Sequence, residues 1–339
     1  MIRKYWERYK KLRNSGVLGI NCRNVHYIGT YNPRCHFPNV DDKLKTKLLA
    51  AEYNVNSPEL IAVIDTQHDI QSLSEKVANF PGFVIKPSKG SGGKGIMLLE
   101  QHTPGHFQKL NGQAMEESTV RLHVSNILSG LYSLGGKPDV AVIESLIQAD
   151  PVFEDFSYEG VPDMRIVTFM GFPVMAMIRL PTAASDGKAN LHQGAVGVGL
   201  DIGTGRAIGG VQFDRPISHH PDTNNALTDL IVPHWDRVLD LAARCCEMSG
   251  LGYIGVDIVL DRRLGPMLLE LNARPGLAIQ TANAEGILPR LRNIEALGKV
   301  NFTTERRIAY SKKYFSRFPE SDSDVIHYPV SPDSVTSEL

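Results

Sequence analysis

Apolar positions along the chain recur at two periods, and the switches between them mark out its elements. Over Met1–Asn14, Ile2, Tyr5, Trp6, Tyr9 and Leu12 fall at helical spacing among Arg3, Lys4, Arg8, Lys10, Lys11 and Arg13, which predicts a basic amphipathic helix. Docking of its aromatic stripe on the body is favoured over contact with a membrane surface or a partner. Gly16–Val40 reads as loop, broken by Asn32-Pro33 and Phe37-Pro38. Asp41–Tyr53 reads as a helix capped by Asp41 or Asp42, with Leu44, Leu48, Leu49 and Ala51 on its apolar face. Short strands and helices then alternate to about Val300. The longest helix expected there is Asn225–Ser249, with Gly250 as the left-handed residue that ends it. Beyond Val300 the chain is polar and weakly periodic, which predicts a partly disordered tail opening on a short helix.

Within this pattern, 42% of the 339 residues are hydrophobic, enough for a sizeable core in one large or two smaller domains. The formal charge of -1 provides no overall field for nucleic acid or an anionic membrane, so an anionic ligand must be met by a local cluster. Cys22, Cys35, Cys245 and Cys246 have no zinc spacing and read as buried, reduced thiols. No signal-peptide h-region and no apolar run approaching roughly 20 residues is present, so a cytoplasmic location is expected.

The most informative segment is FVIKPSKGSGGKGIMLLE, Phe83–Glu100, which reads strand, glycine-rich loop, strand. Gly90, Gly92, Gly93 and Gly95 let backbone N–H groups close over phosphate oxygens, and Lys86, Lys89 and Lys94 can neutralise them. Gly90-x-Gly92-x-x-Gly95 matches the dinucleotide fingerprint formally, but that motif opens a helix and IMLLE reads as a strand. A Walker loop needs Ser or Thr after its lysine, and here Gly95 follows Lys94. The protein-kinase set fails as well, for its lysine lies on the strand after the loop and no HRD or DFG triplet occurs. A phosphate-covering flap between antiparallel strands remains, against a plain hairpin turn with incidental lysines.

A second segment, LGYIGVDIVLDRRLGPMLLELNARPG (251–276), reads as a hairpin. Pairing Leu260 with Met267 across its turn sets Asp257 opposite Glu270, and Asn272, two residues on, shares their face. Opposed carboxylates among apolar neighbours repel unless a cation lies between them. Asp257, Glu270 and the Asn272 amide oxygen therefore read as ligands of Mg2+, in preference to a pair of solvated carboxylates on an exposed sheet face.

Taken in order, Asp42-Lys43-Leu44, the flap around Lys86, VIESLI (142–147), DMRIV (163–167), NLHQGA (190–195), GVDIV (255–259) and LELNARPG (269–276) resemble the ATP-grasp superfamily. Within it the likeness is to the alpha-L-glutamate ligase-like proteins related to the ribosomal-protein glutamate ligases, and it covers about Asp41–Leu291. The resemblance implies an α+β ATP-grasp fold, two subdomains with antiparallel sheets gripping ATP. Residues 1–40 would form an N-terminal segment, 41–148 a flap-bearing subdomain, 149–300 a metal-binding subdomain and 301–339 the tail. It implies that Lys43 and Lys86 contact the α and β phosphates, with Lys89, Gly92, Gly93 and Gly95 in the flap. Backbone groups around Ser145 and Leu146 would meet adenine beside Glu144, with Asp150 at the ribose. Asp257, Glu270 and Asn272 would hold two Mg2+ ions, Mn2+ being the alternative metal. Arg165, Arg179, Asn190 and Arg274 would bind the transferred phosphate and the substrate carboxylate, where arginine supplies a bidentate fork; His192, in the same segment, reads equally as a group that orients a substrate and as a hydrogen-bonded structural histidine.

The activity so implied is ATP-dependent carboxylate–amine ligation through an acyl phosphate, joining glutamate or a similar amino acid to a peptide, protein or small-molecule acceptor. A non-catalytic ATP-binding sensor or scaffold and an ATP-grasp phosphotransferase are the alternatives. Superfamily members carry a full α/β domain where about 40 residues precede Asp41 here, and Leu110–Asp139 is longer than the pattern requires. Both departures bear on the acceptor and on specificity.

Overall fold

The fold was obtained as a computed structural model that describes residue 7, residues 10–12 and residues 14–318 other than Ser91, Pro104, Gly105 and Leu134. The basic helix expected over Met1–Asn14 and the tail after Phe318 fall largely outside those residues. Helices of eight residues or more are α1 (Lys43–Glu52), α2 (Glu117–Leu128), α3 (Trp235–Ser249), α4 (Leu288–Glu295) and α5 (Thr304–Phe315).

Two antiparallel sheets organise the chain, each with its own core. The first contains β1 (Leu60–Ile64), β2 (Gly82–Pro87), β3 (Met97–Thr103), β4 (His106–Lys109), β5 (Ala114–Met115) and β6 (Ala141–Ser145), in the order β1-β6-β2-β3-β4-β5. Strand alternation sends Phe83 and Ile85 into a core closed by Val120, Val124 and Ile127 of α2. The opposite face of the same strands then carries Val84, Lys86, Val142 and Glu144, paired in register across β2 and β6. The second sheet contains β7 (Asp163–Phe169), β8 (Phe172–Leu180), β9 (Val196–Leu200), β10 (Ala207–Gln212), β11 (Arg215–Ile217), β12 (Tyr253–Asp261) and β13 (Gly265–Asn272), in the order β11-β10-β9-β8-β7-β12-β13. The expected strand–flap–strand and acidic hairpin are thus β2–β3 and β12–β13, and the α+β architecture is the one expected.

Local expectations fail where tertiary contacts override periodicity. The helix read from Asn225 begins only at Trp235: Pro233 lacks an N–H, His234 is left-handed at φ 55°, and Leu227–Asp229 makes one 3-10 turn. Gly250 ends α3 at φ 71° as the sequence indicates. On α1 the buried residues are Thr46, Lys47 and Ala50, whereas Leu48 is exposed. The apolar face expected there is wrong because Lys47 turns inward to a carboxylate. Residues 20–31, read as loop, are helical, running through a π-helical turn at Arg23–Ile28. Their ties are long-range: Asn32 Nδ2 donates to Tyr253 O at 2.7 Å, and Tyr253 N donates to Asn32 Oδ1 at 2.8 Å. All four cysteines are free, but only Cys245 and Cys246 are buried; Cys35 is exposed. Among the described residues no helix is long and apolar enough to cross a membrane.

The β12–β13 register reaches the expected pairing by an unexpected route. Leu260 faces Pro266 rather than Met267, so the turn is one residue tighter than the sequence suggested. A bulge between Asp257 and Ile258 absorbs Leu269 as an extra residue and restores the offset, which leaves Asp257 opposite Glu270 and Gly255 opposite Asn272.

Candidate functional site

Register across the second sheet lines up charged residues strand by strand. Arg165 on β7 pairs with Asp257 on β12, and Asp257 with Glu270 on β13. Asp163, two residues before Arg165 and on the same face, pairs with Arg179 on β8. Arg165 holds Asp257 with both arms of its fork, Nε to Oδ1 at 2.7 Å and Nη2 to Oδ2 at 2.6 Å. Arg179 grips Asp163 through Nε and Nη2 and reaches Asp257 Oδ2 at 3.0 Å, where Asn272 Nδ2 also donates at 3.1 Å.

Two carboxylates and two guanidiniums in one buried cluster balance their charges, which is how such burial is tolerated. Asp257 is only 2% exposed. Burial alone would push its carboxyl up, but Arg165 and Arg179 outweigh it and hold the group down to about 2. Asp163 goes the other way, raised to about 6 by burial with the neighbouring Asp257 charge adding to it, Arg179 opposing.

The facing wall belongs to the first sheet and α1. Lys43 and Lys47 lie one turn apart on α1, and Asp42 caps that helix by accepting from Lys45 N at 3.1 Å. Lys43 Nζ reaches Glu270 Oε1 at 3.2 Å and donates to Gly90 O at 2.6 Å, linking the acidic hairpin to the flap. Glu144, 1% exposed, receives Lys47 Nζ on one oxygen at 2.8 Å and Lys86 Nζ on the other at 2.5 Å. Burial lowers the Lys47 ammonium and Lys86 adds to this, with Glu144 opposing. Between the walls lies a narrow cleft lined by Lys43, Lys47, Lys86, Glu144, Leu268 and Glu270. Cations on one wall and an acidic hairpin on the other suit a phosphate chain approached by a hard divalent cation. Oxygen donors for such an ion are Glu270, the Asn272 amide oxygen and Asp257 Oδ1, which takes one guanidinium bond and keeps a lone pair; Asp257 Oδ2 is already filled by Arg165, Arg179 and Asn272. Among the described residues no cluster of three or more His, Cys, Asp or Glu offers another metal site.

The remaining candidates are spread more widely. Gly92, Gly93 and Gly95 sit at positive φ in the turn between β2 and β3, with Lys89 exposed beside them. Ser145 N donates to Glu59 O at 3.0 Å, so that backbone donor already serves the sheet, and the Leu146 side chain lies over Gly82. Asp150 caps the turn Pro151–Phe156 by accepting from Val152 N at 3.0 Å, and Asn190 caps Leu191–Gln193 through His192 N at 3.0 Å. Arg274 stacks 4.6 Å over Phe37 and lies 3.9 Å from Asp41; no hydrogen bond or ion pair among the described residues joins it or Asn190 to the Arg165–Asp257 group. Sequence reasoning passed over Lys47 and Asp163. Their signals were spacing: Lys47 follows Lys43 by four on a helix, and Asp163 precedes Arg165 by two on a strand.

Comparison with known proteins gives the family. The profile of the sugar-transfer associated ATP-grasp family matches residues 22–296. The chain is 25% identical over 257 residues to a probable alpha-L-glutamate ligase of Xanthomonas oryzae pv. oryzae, covering 75% of this chain and 64% of that protein. It is 26% identical over 257 residues to the ribosomal protein bS6–L-glutamate ligase of Salmonella paratyphi B, covering 75% of this chain and 63% of that one. The chain therefore spans less than two thirds of the length of these curated relatives. Among solved structures, D-alanyl-alanine synthetase A from Vibrio cholerae aligns with TM-score 0.45 and 10% identity over 82% of this chain and 66% of that one. With the family profile matched along most of its length, the chain belongs to the sugar-transfer associated ATP-grasp family.

Proposed function

We propose that the protein is an ATP-dependent carboxylate–amine ligase working through an acyl phosphate. The observation that carries the reading is the cleft itself: Lys43, Lys47 and Lys86 on one wall and Glu270 on the other, where Glu270 is paired in register with Asp257 and Asp257 with Arg165. In this reading Lys43 and Lys86 take the α and β phosphates, and Lys89 with Gly92, Gly93 and Gly95 covers them. Glu144, Ser145, Leu146 and Asp150 line the nucleoside end. Asp257, Glu270 and Asn272 hold Mg2+, which when bound neutralises charge on the phosphate oxygens.

In this reading Arg165 and Arg179 receive the substrate carboxylate and the transferred phosphate through N–H groups not engaged by Asp257 and Asp163, with Asn190 and Arg274 as outer anion contacts. A carboxylate oxygen attacks the γ phosphorus in line and the bond to the β–γ bridging oxygen breaks, giving an acyl phosphate and ADP. The amine nitrogen of the acceptor then attacks the acyl carbon, loses a proton and expels phosphate, leaving an amide. Little covalent chemistry falls to the chain, so positioning and exclusion of water by the flap supply most of the rate. The relatives' names support an amino acid of the glutamate kind as donor, with a peptide, a protein or a small molecule as acceptor. The family description adds amino sugars and sugar acids to the compounds worth testing.

The test is ADP release from Mg-ATP across single and paired amino acids, peptides, amino sugars and sugar acids, with mass spectrometry of products and Asp257→Asn as control. Stimulation by one pair, with an amide-linked product lost in the control, is the expected result. A stable phosphorylated product without amide would replace the ligase by a phosphotransferase; ATP binding with no turnover on any pair would leave a protein acceptor or a sensor as the reading.

A further inference from the structure

The turn that carries the flap glycines has a free tip and an anchored base. A Cβ at Gly92 or Gly93 would meet no atom within 4 Å, so the tip stands clear. At Gly95 the situation is reversed. Its φ is 77°, and a Cβ there would stand 2.5 Å from Cγ of Tyr132, so the aromatic ring lies directly against the flap backbone. His123 Nε2 lies 3.0 Å from the Gly95 carbonyl oxygen. That oxygen can only accept, so Nε2 carries the proton, and Nδ1 faces the Tyr132 hydroxyl at 3.5 Å. The two rings pack with centroids 5.3 Å apart.

The other end of the turn is tied to the same region. Gly90 forms a β-bridge with Ser133, and the buried Asp139 accepts from Lys89 N at 2.9 Å and from Ser133 Oγ at 2.7 Å. These partners come from α2 and the stretch after it, within the segment longer than the superfamily pattern requires. Val120, Val124, Ile127 and Leu128 root α2 in the first core, so it is a rigid post and not a second mobile loop.

We infer that His123 and Tyr132 are positioning residues that latch the phosphate flap onto α2 at Gly95, pre-ordering it before nucleotide arrives. This rests on the reading of the flap as a nucleotide cover. A latched flap has already lost the conformational freedom that a loose glycine-rich turn would lose on binding. Its contribution should therefore fall on nucleotide affinity and on the opening of the turn, while the fold stays intact.

Limited trypsinolysis of the full chain reads the opening directly, since Lys89 and Lys94 are exposed on the turn. Without nucleotide, His123→Ala and Tyr132→Ala should be cut at these lysines about tenfold faster than wild type, the change expected for losing one hydrogen bond and its ring contact when cleavage follows the open population. His123→Gln, whose amide nitrogen reaches the position of Nε2, should restore the slow rate, which a merely structural histidine would not do. Gly95→Ala, built against the Tyr132 ring, should open the turn with His123 untouched and serves if the other variants fold poorly.

Equal cleavage of wild type and all three disruptive variants would overturn the latch, as would faster cleavage of His123→Gln matching His123→Ala. A separate arm with Mg-ADP tests the underlying reading. If ADP neither binds wild type by calorimetry nor slows its cleavage, the nucleotide cover fails, while the nucleotide-free rates still decide whether His123 and Tyr132 hold the turn.

Discussion

Replacing Glu144 should be far more damaging than replacing either lysine it serves. Its two oxygens hold Lys47 at 2.8 Å and Lys86 at 2.5 Å, and all three side chains are at least nine-tenths buried. Glu144→Gln leaves two ammonium groups in one pocket without a counter-charge. Sharing one carboxylate keeps them within roughly 7 Å of each other, and at an effective dielectric of about 20 their repulsion is about 2 kcal/mol. Adding the desolvation of an uncompensated charge brings the expected loss to about 3–5 kcal/mol.

Lys47→Met keeps most of the apolar stem and leaves a neutral Glu144–Lys86 pair, at the expense of one hydrogen bond to Pro58 O. Its loss should stay near 1 kcal/mol. The double variant should recover about 2 kcal/mol of the Glu144→Gln loss, because the lysine–lysine repulsion is gone. Urea denaturation of the four proteins without nucleotide measures all three quantities. If Lys47→Met costs as much as Glu144→Gln, or if the double variant is worse than the sum of the singles, the charge argument is wrong.

Two further outcomes follow from strained or buried groups elsewhere. The β10–β11 turn places Phe213 and Asp214 at φ 49° and 60° between the paired Gln212 and Arg215, a two-residue turn that favours Asn-Gly. Phe213→Asn with Asp214→Gly should raise stability by about 1–2 kcal/mol in thermal unfolding, and an unchanged or lowered Tm would show that the exposed ring's contact with Gly194 outweighs the strain. Burial lowers the imidazoles of His123 and His220 below their usual 6.5, so the unfolded chain takes up protons first and stability is lost as pH falls through that value. Asp163, raised from 3.8 to about 6, binds its proton more tightly when folded and opposes that loss between those pH values. Asp163→Asn should therefore make stability fall more steeply from pH 6.5 to 4.5; a slope no steeper than wild type would refute the assignment.

What the sequence determined by itself lies close along the chain. The apolar run Phe83–Ile85 ending in Lys86 and the four glycines after it specify a strand feeding a flexible turn, because chain propensity and backbone freedom are local properties. The Asp257–Glu270 opposition was legible because hairpin partners are near neighbours, although the turn is one residue tighter than plain alternation implies and a bulge at Leu269 makes good the difference. The order of motifs identified the superfamily for the same reason: each is a short run with its own chemistry.

Only the tertiary structure decided where buried charges go. Lys47 reads as one polar position on an amphipathic helix, and its burial depends on a carboxylate 97 positions away, as the numbers Lys47 and Glu144 show. Asp257 reads as a metal ligand alone, and the two guanidiniums that hold it come from strands brought alongside by the sheet order. Helix periodicity continued through Asn225–His234 on paper, but Pro233 and the contact of Trp235 Nε1 with Ile202 O at 2.8 Å set the start of α3. A charge or an aromatic ring is stabilised by whatever group lies across the fold, and that partner is chosen by packing, which no local period records.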